Sequence, residues 1–231
     1  MESRSKRGTP LPCNPTFRAV AAELARHEPR RFPWRETSDP YRILVAELLL
    51  QRTRPNLVGP VYQEIVTVYP TVNELAGASR SALANLTAGL GFAKRADTIL
   101  RVARFISEEL CGQIPDDYET LISIPFVGIY TAAAVLCLGH GRPIAMVDVN
   151  TVRILSRVLS LIPQEDSPRG DPGMIAAADS VVLCLPGEAS KINFGFIDVG
   201  AFYCRKNPVC ELCPLSNDCN YYQMSNLIKL R

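Results

Sequence analysis

Long hydrophobic runs are missing from this chain of 231 residues. No apolar stretch reaches the roughly 20 residues that a membrane-spanning helix requires, so we expect no membrane-embedded segment. The N-terminus reads MESRSKRGTP and has no apolar signal segment, which favours a protein that stays inside the cell. Its polar composition also predicts a disordered basic tail over residues 1–12.

An excess of charge of either sign is also missing. The sequence has 25 Lys and Arg against 23 Asp and Glu, which gives a formal net charge of +2. This balance does not by itself indicate a polyanionic partner, so any nucleic-acid site has to be found in where the basic residues lie. There is no internal repeat and no low-complexity tract, and the hydrophobic content of 47% is that of an ordinary globular protein.

Alternating strand patterns are the third absence, and the periodic segments indicate helices instead. Segments 41–53 and 96–110 repeat apolar side chains at helical spacing, such as Ile43, Leu44 and Leu48 in the first. Segment 130–138, YTAAAVLCL, is small and apolar on all sides, which predicts a buried central helix. We therefore expect an all-α fold.

What the chain does have is a group of cysteines near its C-terminus. Half of its eight cysteines form a C-x5-C-x2-C-x5-C array: Cys204, Cys210, Cys213 and Cys219. Four thiolates at this spacing can converge on one metal centre. A four-cysteine zinc module usually has two C-x2-C pairs and this array has one, so the spacing favours a [4Fe–4S] cluster over zinc. Disulfides are the third option, and they suit a small secreted protein better than this chain.

The other four cysteines stand singly in the sequence, at Cys13, Cys111, Cys137 and Cys184. Free cysteine behaves as a small hydrophobic side chain, so we expect these four to be reduced packing residues. A reducing intracellular compartment fits this pattern.

Segment 120–153 contains a helix, a short turn and a second helix. The turn is Pro125-Phe126-Val127-Gly128. A tight turn with a glycine leaves backbone N–H groups at the start of the next helix, where they can hold a DNA phosphate. We therefore expect Pro125, Val127 and Gly128 to contact DNA, and the alternative is a turn that serves packing alone. Phe126 is strained if its position requires a positive φ.

Seven segments occur in an order that resembles the endonuclease III and MutY superfamily of DNA glycosylases, which carry a helix–hairpin–helix. They are FPWR (32–35), DPYRILVAELLLQRT (39–53), GLGFAKRA (89–96), IPFVGIYTAAAV (124–135), MVDVNTVR (146–153), NFGFIDVGAFYC (193–204) and the cysteine array. The resemblance implies an all-α fold of two lobes. A six-helix barrel with the hairpin would span residues 41–144. An iron–sulfur lobe formed by both termini would span residues 13–40 and 145–231.

Within the superfamily the chain resembles the Mig-type mismatch thymine glycosylases most. These carry a tyrosine, here Tyr130, where endonuclease III carries the lysine that forms a Schiff base with the sugar. The resemblance thus implies a monofunctional enzyme that removes thymine or uracil opposite guanine, with weak or no AP lyase activity. Asp148 matches the family's aspartate, which stabilises positive charge on the sugar. Glu47 matches a glutamate of the MutY branch that donates a proton or orients water. The alternatives are a helix cap for Asp148, a solvated Glu47 and a buried Tyr130.

The resemblance also implies which residues touch the DNA. Gln51 and Arg52 match residues that fill the vacated stack or read the orphan base, and an arginine suits a guanine partner. Phe92 matches an aromatic wedge, and Lys94 and Arg95 match phosphate contacts. Further matching positions are Asn150 at the DNA and Trp34 and Arg35 near the base pocket. Core packing or a solvated charge is the alternative for these positions.

Two other functions fit parts of the sequence. An adenine glycosylase without the C-terminal recognition domain of MutY would account for Glu47 and the FPWR segment. A cluster-bearing DNA-binding protein without turnover would account for the array and the hairpin. In each case the expected partner is double-stranded DNA with a mismatched or damaged base. We expect no association with a membrane. We expect a monomer that works in the cytoplasm or nucleoid of a prokaryote.

Overall fold

The computed structural model describes residues 7–91 and 94–229. Within these ranges the chain forms α-helices, short 3-10 helices and one π-helical turn, and it has no strand, so the all-α prediction is confirmed. None of the helices in these ranges has the length and apolar character needed to cross a membrane. The chain divides into a terminal unit, Met1–Arg30 with Arg142–Arg231, and a middle unit, Arg31–Gly141. Residues 31–40 therefore belong to the middle unit.

In chain order the α-helices of the described residues are α1 (Pro15–Arg26), α2 (Pro40–Leu50), α3 (Pro55–Val68), α4 (Val72–Ala76), α5 (Arg80–Thr87), α6 (Arg95–Glu109), α7 (Tyr118–Ser123), α8 (Ile129–Ala134), α9 (Val149–Val158), α10 (Pro172–Leu183), α11 (Ala189–Phe202) and α12 (Asn220–Lys229). The predicted segment 41–53 corresponds to α2, and segment 96–110 corresponds to α6. Segment 130–138 lies in α8 and in the π-helical turn Val135–Gly139 that follows it. The stretch from Thr131 to Cys137 is buried, as its composition predicts.

Proline and short acidic or amide side chains determine where several helices begin. Helices α1, α2 and α10 each have a proline in the first turn, directly after an N-cap residue: Asn14, Asp39 and Asp171. Each N-cap side chain accepts hydrogen bonds from backbone N–H groups of that turn. Proline is favourable there because it has no N–H group to leave unpaired.

In the terminal unit, α11 packs against α1 and α9 at positions where it carries glycine. A Cβ atom at Gly195 would lie 2.4 Å from the carbonyl oxygen of Leu24 on α1. A Cβ atom at Gly200 would lie 2.4 Å from the Cβ atom of Asn150 on α9. Larger residues would push these helices apart, so the two glycines fix the close approach of α11 to its neighbours.

The segment that precedes α1 is held against α10, which corrects the prediction of a disordered tail over residues 1–12 for its described part. Arg7 is buried, with 7% of its surface exposed, and forms an ion pair with Asp179 on α10 at 2.8 Å. The N–H group of Leu11 donates to the hydroxyl of Ser180 at 2.8 Å. A basic, polar segment is expected to be mobile only when it has no buried acidic partner. Here Asp179 on α10 is such a partner.

Cys13 and Cys184 form a disulfide with their Cα atoms 5.3 Å apart, so the prediction that both are reduced is wrong. The pair joins the N-terminal segment to the C-terminus of α10. Since the two cysteines are 171 residues apart, no local spacing could have revealed the pairing. Neither Cys111 nor Cys137 is part of a disulfide. Cys137 is buried, as expected of a packing residue, whereas Cys111 is exposed.

We expect the Cys13→Ser variant to be less stable than the wild type by about 2–4 kcal/mol, because the cross-link restricts a very long loop of the unfolded chain. Urea unfolding without reductant measures this difference. Adding a thiol reductant should lower the wild type to the stability of the variant and leave the variant unchanged. Equal stability of the two proteins without reductant contradicts the prediction.

Asp171 organises the loop 163–173, for which the sequence indicates no role. Its carboxylate is buried and accepts hydrogen bonds from the N–H groups of Gln164 and Glu165, at 2.6 and 3.0 Å, and of Met174, at 2.8 Å. Burial acts to raise the pKa of Asp171, but these hydrogen bonds outweigh it and hold the pKa below its ordinary value.

We expect Asp171→Ala to cost about 2 kcal/mol at neutral pH, since it removes a cap and leaves buried N–H groups unpaired. Because folding lowers the pKa of Asp171, its stabilisation is full above the ordinary pKa of about 4 and is lost as the pH falls through the folded-state value. Unfolding of both proteins at neutral pH and at about pH 3 should therefore show a shrinking difference. Asp166→Ala, at an exposed position of the same loop, is the control and should have little effect at either pH.

Candidate functional site

Asp148 lies at the start of α9 and acts as its N-cap, so the cap interpretation is confirmed. One carboxylate oxygen accepts hydrogen bonds from the N–H groups of Asn150 and Thr151, at 2.8 and 2.9 Å. The other accepts from the side-chain amide of Asn150 at 2.7 Å. The carboxylate is half-buried, so it is fixed in direction and still reachable from outside. A cap of this kind does not use up a carboxylate, whose two oxygens can accept further hydrogen bonds.

Arg153 holds the amide of Asn150 in the orientation that serves Asp148. It donates to the amide oxygen of Asn150 at 2.6 Å, which leaves the amide nitrogen to face the carboxylate. The same guanidinium donates to the carbonyl oxygens of Gly200, at 2.9 Å, and of Cys204. The side chain of Asn150, predicted to contact DNA, is therefore engaged within the protein and supports Asp148.

The stretch before Asp148 is pinned by buried polar side chains of the terminal unit. Asp179 accepts a hydrogen bond from the N–H group of Ala145 at 2.8 Å, and Arg7 donates to the carbonyl oxygen of Ala145 at 2.9 Å. Asn193 accepts from the N–H group of Met146 at 2.7 Å. Side chains thus satisfy the backbone groups of Ala145 and the N–H group of Met146, and these anchored residues precede Asp148.

The four cysteines of the array line one small cavity. They lie in the stretch between α11 and α12, which contains only two three-residue 3-10 helices, Cys210–Leu212 and Ser216–Asp218. Burial raises the pKa of the Cys213 thiol to about 11 and also raises that of Cys219. Among the described residues, no three His, Cys, Asp or Glu side chains are grouped so that they could hold a single metal ion.

Arg157 on α9 borders this cavity. Its guanidinium lies 3.4 Å from the sulfur of Cys204 and donates to the carbonyl oxygen of Arg205 at 2.7 Å. It also lies 5.0 Å from the ring centroid of Tyr221. Arg157 thus ties α9 to the first cysteine of the array and to the residue after it.

In the middle unit, Glu47 is buried on α2, with 8% of its surface exposed, which contradicts the alternative of a solvated glutamate. Helix α2 ends at Leu50, and Gln51 and Arg52 form the turn that follows. Arg52 adopts a left-handed backbone conformation with φ of 57° and is exposed. Non-glycine residues in this region are strained by roughly 1–2 kcal/mol and concentrate at functional sites.

The structure corrects one of the predicted phosphate contacts. Arg95 is 1% exposed, and its guanidinium donates to backbone carbonyls at the end of α2, so it does not face a phosphate. Lys94 is exposed and stays available for that role. Phe92, the predicted wedge, lies outside the described residues.

The predicted hairpin is present as α7, the turn and α8. The N–H group of Val127 donates to the carbonyl oxygen of Ile124 at 3.1 Å and its side chain is buried, so Val127 closes the turn and does not face a ligand. Pro125 and Gly128 are exposed, and Tyr130 in the first turn of α8 is half-buried, contrary to the alternative of a fully buried ring. No side chain of the described residues caps the N-terminus of α8 at Gly128.

Phe126 carries the strain that the sequence suggested. It adopts a φ of 66° and its ring is half exposed, 6.0 Å from the guanidinium of Arg101. We expect Phe126→Gly to stabilise the protein by roughly 0.5–1 kcal/mol, because glycine accepts positive φ at no steric cost. Phe126→Ala removes the ring and keeps the strained backbone, so it should give no gain. Urea unfolding of both variants measures this, and a larger gain from alanine would contradict the strain argument.

Trp34 is a core residue, which makes packing the better account of the FPWR segment. Its ring stacks on Phe32 with centroids 4.8 Å apart and meets Tyr62 edge-on at 5.7 Å. Arg35 is half-buried and places its guanidinium 5.4 Å from the centroid of Phe32. A contact of Trp34 with a base would require this cluster to repack, whereas the role of Arg35 stays a prediction.

The residues that sequence reasoning missed are those that hold others in place. Arg153 is part of the quoted MVDVNTVR segment, three residues after Asn150, and that helical spacing is the signal that could have linked them. Arg7, Asp179 and Asn193 gave no local signal, because their partners are far away in sequence.

Three comparisons connect this geometry to known proteins. The chain is 37% identical to a thymine-DNA glycosylase of Aeropyrum pernix, over 82% of this chain and 86% of the relative. It is 37% identical to a thymine/uracil-DNA glycosylase of Pyrobaculum aerophilum, over 83% and 84%. A solved structure of a thermostable thymine-DNA glycosylase superposes with a TM-score of 0.78 at 30% identity, over 90% of this chain and 95% of that one.

A family model also matches residues 45–169, more than half of the chain. This range includes Glu47, the hairpin and Asp148, so the match covers candidate residues in both units. The chain therefore belongs to the HhH-GPD superfamily of base excision DNA repair proteins.

Proposed function

We propose that this protein is a DNA glycosylase that removes thymine or uracil mispaired with guanine. The observation that carries the proposal is the carboxylate of Asp148, which several hydrogen bonds direct while it stays half-exposed. The relatives named thymine and thymine/uracil-DNA glycosylases support the choice of base.

The proposed reaction begins with extrusion of the mispaired nucleotide, which costs less than extrusion of a paired one. Breaking the N-glycosidic bond builds positive charge on the sugar, and Asp148 stabilises that charge and directs the attacking water. Glu47 donates a proton to the departing base or orients water, as a buried carboxyl group is suited to do. A phenol cannot form an imine with the sugar, so Tyr130 supports a monofunctional enzyme with weak or no AP lyase activity.

We further propose that the array holds one [4Fe–4S] cluster through Cys204, Cys210, Cys213 and Cys219. The proposal is supported by the four cysteines, which line one cavity. A cavity between the sulfurs suits a cluster of several irons, whereas a single zinc ion would bring the four sulfurs around one point. When bound, the cluster supplies rigid cross-linking of the stretch between α11 and α12. Arg157 holds the sulfur of Cys204 in place by a hydrogen bond.

The proposed DNA contacts are the exposed groups of the hairpin and its surroundings. At Gly128 φ is −93°, and an added Cβ would meet no described atom within 4 Å, so neither backbone nor space within the described chain requires glycine. Glycine is favoured at an N-cap, and it also permits the close approach of a phosphate to the backbone that we propose. Pro125 and Lys94 are the other candidates, while Arg35, which is half-buried, is proposed for the base pocket. Binding by a monomer, in the nucleoid of a prokaryotic cell, is part of the proposal.

Base release from a panel of duplexes tests this function. We expect release of thymine and uracil from G·T and G·U pairs, with strand breaks appearing only after alkali treatment. Breaks without alkali would contradict the monofunctional assignment. Release of adenine opposite oxidised guanine, and of no pyrimidine, would favour the adenine glycosylase that the buried Glu47 also fits. Duplex binding without any base release would identify a non-catalytic protein.

A further inference from the structure

Arg95 occupies a position that its predicted phosphate contact does not explain. It begins α6, it is 1% exposed, and it is the largest of the fully buried side chains. Burial lowers the pKa of its guanidinium, which reflects the cost of removing a cation from water. A buried arginine persists only where its donors are well used, so the groups that it binds indicate its role.

The guanidinium of Arg95 is directed at the end of α2 and at the turn that follows. One terminal nitrogen donates to the carbonyl oxygens of Leu48 and Leu49, at 2.9 and 2.8 Å. The other donates to the carbonyl oxygen of Gln51 at 2.9 Å and to the hydroxyl of Thr53 at 2.6 Å. The last carbonyls of a helix have no partner within the helix and carry its negative dipole, so a cation here caps α2.

These bonds hold a backbone carbonyl before Arg52 and a side-chain hydroxyl after it. Arg95 binds the carbonyl oxygen of Gln51 and the hydroxyl of Thr53 from inside the protein. Arg52, between them, has a left-handed φ of 57°. The side chain of Gln51 reaches the carbonyl oxygen of Phe126 in the hairpin turn at 3.5 Å. Two strained residues, Arg52 and Phe126, therefore lie in adjoining turns of the middle unit.

We propose that Arg95 is a positioning residue for discrimination of the base opposite the excised one, a role that rests on the proposed function. It acts through Gln51 and Arg52, the residues expected to read or replace bases. Without Arg95, the free carbonyls at the end of α2 are satisfied most simply by continuing the helix. Arg52 then leaves its strained conformation, and its side chain and that of Gln51 point elsewhere.

The Arg95→Lys variant tests the proposal, because lysine keeps the charge but lacks the planar fork that binds several carbonyls at once. The substrates are three duplexes with uracil opposite guanine, opposite adenine and opposite an abasic position. We expect the preference for guanine over adenine, as a ratio of kcat/KM values, to fall roughly tenfold, which is within the range of one arginine–guanine contact. The rate opposite the abasic position, where nothing is read, should stay near that of the wild type.

Arg104→Lys is the matched control, since Arg104 lies on the same helix, is exposed and donates to the carbonyl oxygen of Ala76 near the end of α4. It should leave all three rates unchanged. A uniform fall on all three duplexes in Arg95→Lys, or an unchanged ratio, overturns the proposal. If Arg95→Lys does not fold, Thr53→Val removes one of the four bonds and should lower the ratio in the same direction. A wild type that releases no uracil opposite guanine refutes the proposed function instead.

Discussion

The Asp148→Asn variant should release thymine from G·T duplexes about 10²–10³ times more slowly than the wild type, the usual effect of losing one preorganised electrostatic group. Asparagine is as good an N-cap as aspartate, so the oxygen that accepts from the N–H groups of Asn150 and Thr151 is retained. The substitution changes the second oxygen, which becomes an NH₂ group facing the amide of Asn150. It thus removes the negative charge and leaves α9 capped. Single-turnover base release and thermal unfolding measure the two effects separately.

A second variant, Asp148→Ala, shows the effect of losing the cap together with the charge. Asp148→Ala removes both, so it should be as inactive as Asp148→Asn and in addition less stable by about 1 kcal/mol. Duplex binding should persist in both variants. A carboxylate repels the DNA phosphates, so its loss does not weaken the attraction between the protein and the duplex. Undiminished base release by Asp148→Asn would show that the charge at position 148 has no part in bond cleavage. A cap alone would then account for this residue.

Helical periodicity predicted the elements well, because burial of one face of a helix is a local property of the sequence. Segment 41–53 contains most of α2, and segment 130–138 contains most of α8 with its buried residues. Contacts between distant residues were not predictable in this way. The sequence does not distinguish an arginine that binds phosphate from one that caps a helix inside the core. The burial of Arg95 could therefore be known only from the packing of α6 on α2.

The same reason explains the errors at Cys13 and Trp34. A disulfide depends on Cα atoms coming close, and the partner of Cys13 stands 171 residues later. An aromatic residue in a segment of this kind fits a base pocket and a core equally well, and the stacking of Trp34 on Phe32 favours the core. The cap role of Asp148 was predictable because its pattern is local and the structure confirms it, whereas its catalytic role follows from a motif and stays a prediction.

Replacing one cysteine of the array should have the largest effect on the fold. We expect Cys204→Ser to lose the iron of the wild type, about four atoms per chain, and its visible absorbance. The stretch between α11 and α12 is longer than loops that hold themselves in place, and its 3-10 helices have three residues each. We therefore expect the proposed cluster to stabilise this stretch, and its loss should lower the thermal midpoint by roughly 10 °C or more.

The damage should extend beyond the cavity, because the backbone of Cys204 is tied to α9. Arg153 joins the carbonyl oxygen of Cys204 to the amide of Asn150, which in turn orients Asp148. Base release should therefore fall in Cys204→Ser even at temperatures where the protein stays folded. Cys111→Ser, at an exposed free cysteine outside the array, is the control and should keep iron, stability and activity. Full iron content in Cys204→Ser, or zinc in place of iron in the wild type, would contradict the assignment of the array to an iron–sulfur cluster.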